Sequence, residues 1–169
     1  MPVVQKKVCL LGDFAVGKTS LVRRFVEGRF DEKYLSTIGV KISRKVLERD
    51  GYTLSLLIWD LAGGEDFKEI SQRYLLGAVG ALIVCDLTRA ETLTSLERYA
   101  EQLRAIDTSA AIVLIGNKVD RAKELVIGDD MLESAGRTTA SPWLLTSAKT
   151  GEQVEKAFLL LAKQIEARA

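Results

Sequence analysis

A glycine-rich segment at residues 12–19, GDFAVGKT, contains residue types at a spacing that can hold phosphate groups. It fits the pattern G-x-x-x-x-G-K-[ST], in which backbone N–H groups turn inward around the α- and β-phosphates of a nucleotide. The ammonium group of Lys18 would reach the β- and γ-phosphates, and the hydroxyl of Thr19 would bind Mg²⁺. We therefore predict a nucleotide-binding segment that consists of Phe14, Ala15, Val16, Gly17, Lys18, Thr19 and Ser20.

Two polar segments further along the chain follow short apolar runs. Asn117-Lys118-Val119-Asp120 comes after the run Ile112 to Ile115, and Thr146-Ser147-Ala148-Lys149 comes after Trp143 to Leu145. A carboxylate such as that of Asp120 can accept the two neighbouring N–H donors that guanine offers and adenine lacks. Solvent-exposed loop residues are the alternative interpretation of either segment alone, but their order behind a phosphate loop favours GTP over ATP.

Further residues are candidates for binding a metal ion or the terminal phosphate. In Asp60-Leu61-Ala62-Gly63, the Asp60 carboxylate can hold a water of Mg²⁺, and the Gly63 N–H can approach the γ-phosphate. Thr37, in the loop at residues 34–39, can add a second hydroxyl to the metal, but by itself it fits a turn-forming residue equally well. The predicted Mg²⁺ site therefore consists of Thr19, Thr37 and Asp60.

These residues can meet where strand ends lie along one edge of a parallel sheet, which is where such sheets bind ligands. Short apolar runs, typical of strands covered on both faces, alternate with amphipathic stretches and predict right-handed crossovers. The predicted strands are Val8 to Leu11, Leu54 to Trp59, Ala81 to Cys85, Ile112 to Ile115 and Trp143 to Leu145, and the predicted helices are Thr19 to Glu27, Leu93 to Ile106, Asp130 to Thr139 and Val154 to Ile165. Val40 to Leu47 and Thr53 to Trp59 flank a short turn with Asp50-Gly51 and predict an antiparallel hairpin, which makes the six-stranded sheet mixed.

The composition of the 169-residue chain is that of an ordinary globular protein, and we predict one domain over residues 1–169. The formal net charge of +1 gives no one-sided field, so we predict no nucleic-acid partner. The chain has no histidine, which excludes Ser-His-Asp and Cys-His catalysis. Cys9 and Cys85 lie in apolar runs and are predicted to be buried free thiols of a reducing compartment. Residues 1–7 lack the apolar core of a signal peptide, so we predict a cytoplasmic location.

Together these motifs resemble those of the Ras superfamily of small GTPases, most closely its Rab branch, from about Lys6 to Ile165. The resemblance implies an α/β fold of the P-loop NTPase type, a three-layer sandwich in which a six-stranded mixed sheet with one antiparallel strand is flanked by five helices. It implies GTP or GDP and Mg²⁺ as ligands and a molecular switch between the GTP and GDP states. It also implies effector, exchange-factor and GTPase-activating partners that bind switch segments at residues 30–39 and 61–74.

The resemblance also assigns roles to individual residues. Lys18 would cradle the terminal phosphates, Thr19 and Thr37 would bind Mg²⁺, Asp60 would act through water, and Gly63 would sense the γ-phosphate. Phe30 matches the family's aromatic contact to the base, although an aromatic residue near the end of a helix usually belongs to the core. The guanine pocket of the family corresponds to Asn117, Lys118, Asp120, Ser147, Ala148 and Lys149.

Two positions depart from the pattern of the family. A glutamine after D-x-x-G normally orients the attacking water, but here that position is Gly64, with Glu65 and Asp66 next to it. The third residue of the phosphate loop is usually small but here is Phe14, whose ring should project toward the γ-phosphate side and obstruct an incoming arginine. The catalytic candidates are therefore Lys18, Thr37, Gly63 and Gly64, and we expect slow hydrolysis.

Three functional hypotheses follow from these observations. The first is a GTPase switch whose slow turnover is accelerated by a partner or by Glu65 or Asp66. The second is a GTP-loaded binding module or scaffold with negligible hydrolysis, and the third is a P-loop kinase or ATPase, which a strong preference for adenine would indicate. The last residues, 164–169, contain no cysteine for prenylation, so we expect no direct lipid anchor in this chain. Either the tail is shortened, or the protein is a relative, such as a bacterial one, that reaches membranes through another protein.

Overall fold

The computed structural model describes residues 1–30, 40–61 and 72–168. Its six strands are β1 (Val3–Gly12), β2 (Val40–Arg49), β3 (Tyr52–Leu61), β4 (Ala78–Asp86), β5 (Ala111–Asn117) and β6 (Trp143–Thr146). Its helices are α1 (Lys18–Glu27), α2 (Glu91–Ile106), α3 (Asp129–Thr139) and α4 (Val154–Ala167). With a shorter helical stretch at residues 72–75, these ranges contain five helical segments.

The architecture confirms the predicted α/β fold. The strand order in the sheet is β2-β3-β1-β4-β5-β6, and all neighbours run parallel except the pair β2 and β3. This antiparallel pair is the predicted hairpin, because Val40 pairs with Leu61 and Arg49 pairs with Tyr52. β1 lies between β3 and β4, so the chain proceeds from β1 first to one side of the sheet and then to the other. Such a switch point leaves a crevice at the carboxyl ends of the strands.

Apolar side chains fill both faces of the sheet and produce the predicted three layers. On one face, α1 and α4 pack against the sheet, and the stacked rings of Phe25 and Phe158 have centroids 4.2 Å apart. On the other face, α2 and α3 contribute Leu96, Leu103 and Leu132 to a second apolar cluster. In the described parts of the chain, no helix combines the length and the apolar character that a membrane crossing requires.

The observed strands continue past the predicted apolar runs. β1 begins at Val3, which pairs with Thr53, because main-chain pairing with β3 extends the strand through polar residues. Helix α2 begins at Glu91, earlier than predicted, and the buried Thr92 hydroxyl in its first turn bonds the backbone of Asp86. Both cysteines are buried free thiols, as predicted.

Candidate functional site

The phosphate loop connects the end of β1 to the start of α1 at the switch point of the sheet. Its backbone takes positive φ values at Gly12 (148°), Ala15 (66°) and Gly17 (104°). A Cβ atom at Gly12 would lie 2.4 Å from the Val84 carbonyl oxygen, and one at Gly17 would lie 2.3 Å from Nδ2 of Asn117. Both glycines are therefore required by conformation and by space.

Lys18 lies buried against this loop. Its Nζ donates to the carbonyl oxygens of Gly12, at 2.8 Å, and Asp13, at 3.0 Å. Burial lowers the pKa of Lys18 to about 8, although the carboxylates of Asp60 and Asp13 act in the opposite direction. Burial removes the hydration that stabilises a charged ammonium group, and a nearby anion compensates for that loss. A buried lysine within this phosphate loop therefore fits an anion-binding site.

Thr19 and Asp60, two of the three predicted Mg²⁺ residues, come together. The Thr19 hydroxyl donates to Oδ2 of Asp60 at 2.5 Å, and Asp60 is buried at the end of β3. Hydroxyl and carboxylate oxygens are the ligands that Mg²⁺ prefers, so this pair beside the phosphate loop fits the metal. The third residue, Thr37, lies outside the described residues, and so do Gly63, Gly64, Glu65 and Asp66.

The segment at residues 117–120 is fastened to the phosphate loop. Asn117 donates through Nδ2 to the Val16 carbonyl at 2.9 Å, while its Oδ1 accepts the Thr146 hydroxyl at 3.0 Å. The Ala148 N–H approaches the same Oδ1 at 3.4 Å. Lys118 donates to the Ala15 carbonyl at 3.0 Å. The predicted base-binding segment and the predicted phosphate-binding loop thus form one connected structure.

The two predicted guanine segments also contact each other. The Ser147 hydroxyl donates to Oδ1 of Asp120 at 2.7 Å, and Ser147 Oγ accepts the backbone N–H of Thr150 at 3.0 Å. The Val119 N–H donates to the Thr146 carbonyl at 3.1 Å. These bonds place the Asp120 carboxylate beside the loop that contains Ala148 and Lys149.

The two phenylalanines of the prediction differ in their surroundings. Phe14 is 56% exposed at the tip of the phosphate loop, and its carbonyl accepts a hydrogen bond from Nη1 of Arg89 at 2.8 Å. Phe30 is partly buried and packs against the apolar cluster beneath α1 and α4. Ser20, the last predicted member of the loop, lies within α1.

Sequence reasoning missed four residues that support this site. Asp86, at the end of β4, bonds the Thr88 hydroxyl at 2.6 Å and forms an ion pair with Lys118 at 2.9 Å. Burial acts to raise the pKa of Asp86, but hydrogen bonds from Thr88 and Lys118 outweigh it and lower the pKa. Asp86 directly follows the apolar run Ala81 to Cys85, and this position at the end of a predicted strand could have identified it from the sequence. No comparable signal identifies the other three, Asp13, Arg24 and Arg89.

Asp13 holds the outer side of the phosphate loop on helix α2. Its carboxylate accepts the Ser95 hydroxyl at 2.6 Å and the Tyr99 hydroxyl at 3.0 Å. Arg89 donates to the carbonyl of Phe14, the residue after Asp13. Together these contacts support the loop from the β4 side of the sheet. Asn117 and Lys118 support it from the β5 side.

A phosphate loop at the switch point, with polar residues from the ends of β3, β5 and β6 beside it, defines an α/β P-loop nucleotide-binding protein. The model of the Ras family matches residues 7–167, and the chain belongs to this family. It is 37% identical over 163 residues to the Ras-related protein RIC1 of Oryza sativa subsp. japonica, an alignment that covers 96% of this chain and 81% of the relative.

A second relative, the Ras-related protein RABD1 of Arabidopsis thaliana, is 37% identical over 161 residues, or 95% of this chain and 78% of the relative. The chain is therefore a Rab-like small GTPase of the Ras superfamily, a GTP-binding protein that takes GTP or GDP with Mg²⁺.

Proposed function

We propose that this protein is a guanine-nucleotide switch that hydrolyses GTP slowly by itself and depends on a protein partner for faster turnover. The observation that carries the proposal is the connected cluster in which Lys18, Asn117 and Lys118 all bond the phosphate loop. This cluster joins a buried cation, a pair of oxygen ligands and a base-binding segment at one edge of the sheet. A single nucleotide spans such an arrangement.

Each part of the site has a distinct binding role in this proposal. Lys18 and the loop N–H groups hold the phosphates, and the oxygens of Thr19 and Asp60 hold the metal, with Thr37 as a further ligand. When bound, Mg²⁺ neutralises phosphate charge. The Asp120 carboxylate accepts the two N–H donors of guanine, and Phe30 contacts the base. The rest of the guanine pocket consists of Asn117, Lys118, Ser147, Ala148 and Lys149.

The switch depends on contacts that only the triphosphate provides. Thr37 and Gly63 contact the γ-phosphate in this proposal, so GTP and GDP differ in their affinity for the ordered arrangement of residues 30–39 and 61–74. Effectors, exchange factors and activating proteins bind these segments. We propose a cytoplasmic location and no nucleic-acid partner.

Two positions of the sequence bear on the rate of hydrolysis in this proposal. Gly64 has no carboxamide with which to orient the attacking water. The exposed ring of Phe14 lies at the tip of the phosphate loop, where we expect it to obstruct an arginine, so a partner would accelerate turnover through another catalytic group. Loss of one group that positions or stabilises the transition state costs about 3 to 4 kcal/mol, or on the order of 10² to 10³ in rate.

A single-turnover assay tests the proposed rate. The purified protein is loaded with GTP, and the loss of bound GTP is followed with and without the variant Gly64→Gln. We expect wild-type loss to be slower than minutes and the variant to be faster by on the order of 10²-fold. Phosphate release within minutes by the wild-type protein alone would contradict the slow-turnover proposal.

The second candidate is a GTP-loaded binding module with negligible hydrolysis. Gly64 favours it, because a glycine at this position has no carboxamide with which to orient the attacking water. Chromatography of the nucleotide released from denatured, freshly purified protein separates the two candidates. GDP indicates turnover, whereas retained GTP that no partner fraction converts to GDP favours the binding module.

A further inference from the structure

Arg24 connects helix α1 to the backbone of the loop at residues 147–151. Its Nε donates to the Ala148 carbonyl at 2.9 Å, and its Nη2 donates to the Lys149 carbonyl. The guanidinium group packs under this loop, since a Cβ atom at Gly151 would lie 3.7 Å from Nε of Arg24. Gly151 has a φ of 88°, a conformation that favours glycine.

The other arginines near Arg24 make different contacts. Arg23 and Arg29 both pair with Glu27, at 3.7 Å and 3.0 Å, and such surface ion pairs contribute little stability. Arg24 instead uses two nitrogens of one planar group on two successive carbonyl oxygens. A lysine has a single ammonium group and cannot reproduce this fork.

These two bonds fix the orientation of two successive peptide groups. A trans peptide is planar, with its carbonyl and its N–H on opposite sides. Because Arg24 holds the Ala148 carbonyl, the N–H of Lys149 points away from α1. The same geometry at the next peptide directs the N–H of Thr150, which donates to Ser147 Oγ at 3.0 Å.

A chain of hydrogen bonds then leads to the carboxylate that recognises guanine in the proposed function. Ser147, held by the Thr150 N–H, donates to Oδ1 of Asp120 at 2.7 Å. Helix α1 begins at Lys18, which binds phosphate in the proposed function. Arg24, near the end of the same helix, bonds the loop at residues 147–151, here called the base loop. Arg24 therefore sets the position of the base loop relative to the phosphate loop.

We propose that Arg24 is a positioning residue for guanine recognition, which orients the Asp120 carboxylate and the Lys149 N–H toward the base. This inference rests on the proposed function, in which Asp120 accepts the amino and ring N–H groups of guanine. Among the described residues, the guanidinium group of Arg24 donates to the carbonyls of Ala148, Lys149 and Gly28, the residue after α1.

The test compares GDP with inosine diphosphate, which lacks the exocyclic amino group that Asp120 binds. Dissociation constants for both nucleotides are measured for wild type, Arg24→Ala, Arg24→Lys and the control Arg137→Ala. Arg137 pairs with Glu133 on the exposed side of α3. We expect the preference for GDP over inosine diphosphate to fall by about tenfold or more in both Arg24 variants and to be unchanged in the control.

A role in stability alone gives a different result. If Arg24 only stabilises the fold, both dissociation constants rise by the same factor and the preference for GDP is unchanged, which would overturn the inference. Hydrogen exchange in the nucleotide-free protein gives a second measurement. We expect faster exchange of the Lys149 and Thr150 amides in both variants, and protection equal to wild type would also overturn the inference.

The failure of the proposed function has its own signature. Wild-type protein that binds GDP no better than inosine diphosphate would defeat the guanine site itself. Wild-type preference that persists in both Arg24 variants would defeat only the role of Arg24. The lysine variant keeps the charge and most of the side-chain length, so it serves as the test if the alanine variant does not fold.

Discussion

Replacement of Asn117 by alanine should destabilise the protein even when no nucleotide is present. The side chain is buried and donates to the Val16 carbonyl at 2.9 Å, while it accepts the Thr146 hydroxyl at 3.0 Å. The variant leaves both partners buried without these bonds, at about 1 to 3 kcal/mol each. We expect a loss of about 3 to 4 kcal/mol in the free energy of unfolding. For a domain of this size, that loss lowers Tm by roughly 10 °C.

Thermal unfolding in EDTA, after removal of nucleotide, measures this effect without a contribution from binding. Asp120→Ala is the matched control, because Asp120 belongs to the same N-K-x-D motif but is exposed and accepts one bond from Ser147. We expect the control to lower Tm by a few degrees at most, and both variants to weaken GDP binding. If Asn117→Ala and Asp120→Ala unfolded at the same temperature, Asn117 would act only through the base, and the reasoning from its protein contacts would be wrong.

Two further predictions concern the rest of the chain. Hydrogen bonds from Arg49 lower the pKa of Glu166, so the stability from this pair is present above the ordinary glutamate pKa and is lost as the pH falls through the lowered value. Urea unfolding should therefore show that Glu166→Gln lowers the free energy of unfolding by at most about 1 kcal/mol at neutral pH and leaves it unchanged in strong acid. A difference between wild type and variant that grew larger in acid would contradict this prediction. Burial raises the pKa of Cys9 and of Cys85 to about 12, so neither thiol should react with a disulfide reagent at pH 8 until the protein unfolds, and rapid native labelling would contradict this.

The sequence predicted those features that depend on residue types within one short segment of the chain. The loop at residues 12–19 was identified because its glycines and lysine stand at fixed spacing between an apolar run and an amphipathic stretch. The hairpin was identified because the turn at Asp50-Gly51 is too short for a crossover. Apolar runs located every strand except β2, which the hairpin turn indicated. The first residues of β1, from Val3 to Lys7, were missed because main-chain pairing with β3 extends the strand beyond the apolar run.

The supporting contacts of the site could not be predicted in the same way. Arg24 is one of several arginines in and after α1, and nothing in its spacing distinguishes it from Arg23 or Arg29. Its partners, Ala148 and Lys149, offer backbone carbonyls, which every residue possesses. Asp13 likewise resembles any loop carboxylate until Ser95 and Tyr99 of α2 are placed beside it.

The sequence by itself determined which chemical groups this protein has for binding phosphate, metal and guanine, because those groups occur at fixed spacings within short segments. It also determined the order of strands and helices, since apolar periodicity is a local property. Only the tertiary structure decided how the segments are held together. Contacts such as Asn117 with Val16 and Arg24 with Ala148 join residues that are distant in the chain, and folding of the sheet and its helices brings them within bonding distance.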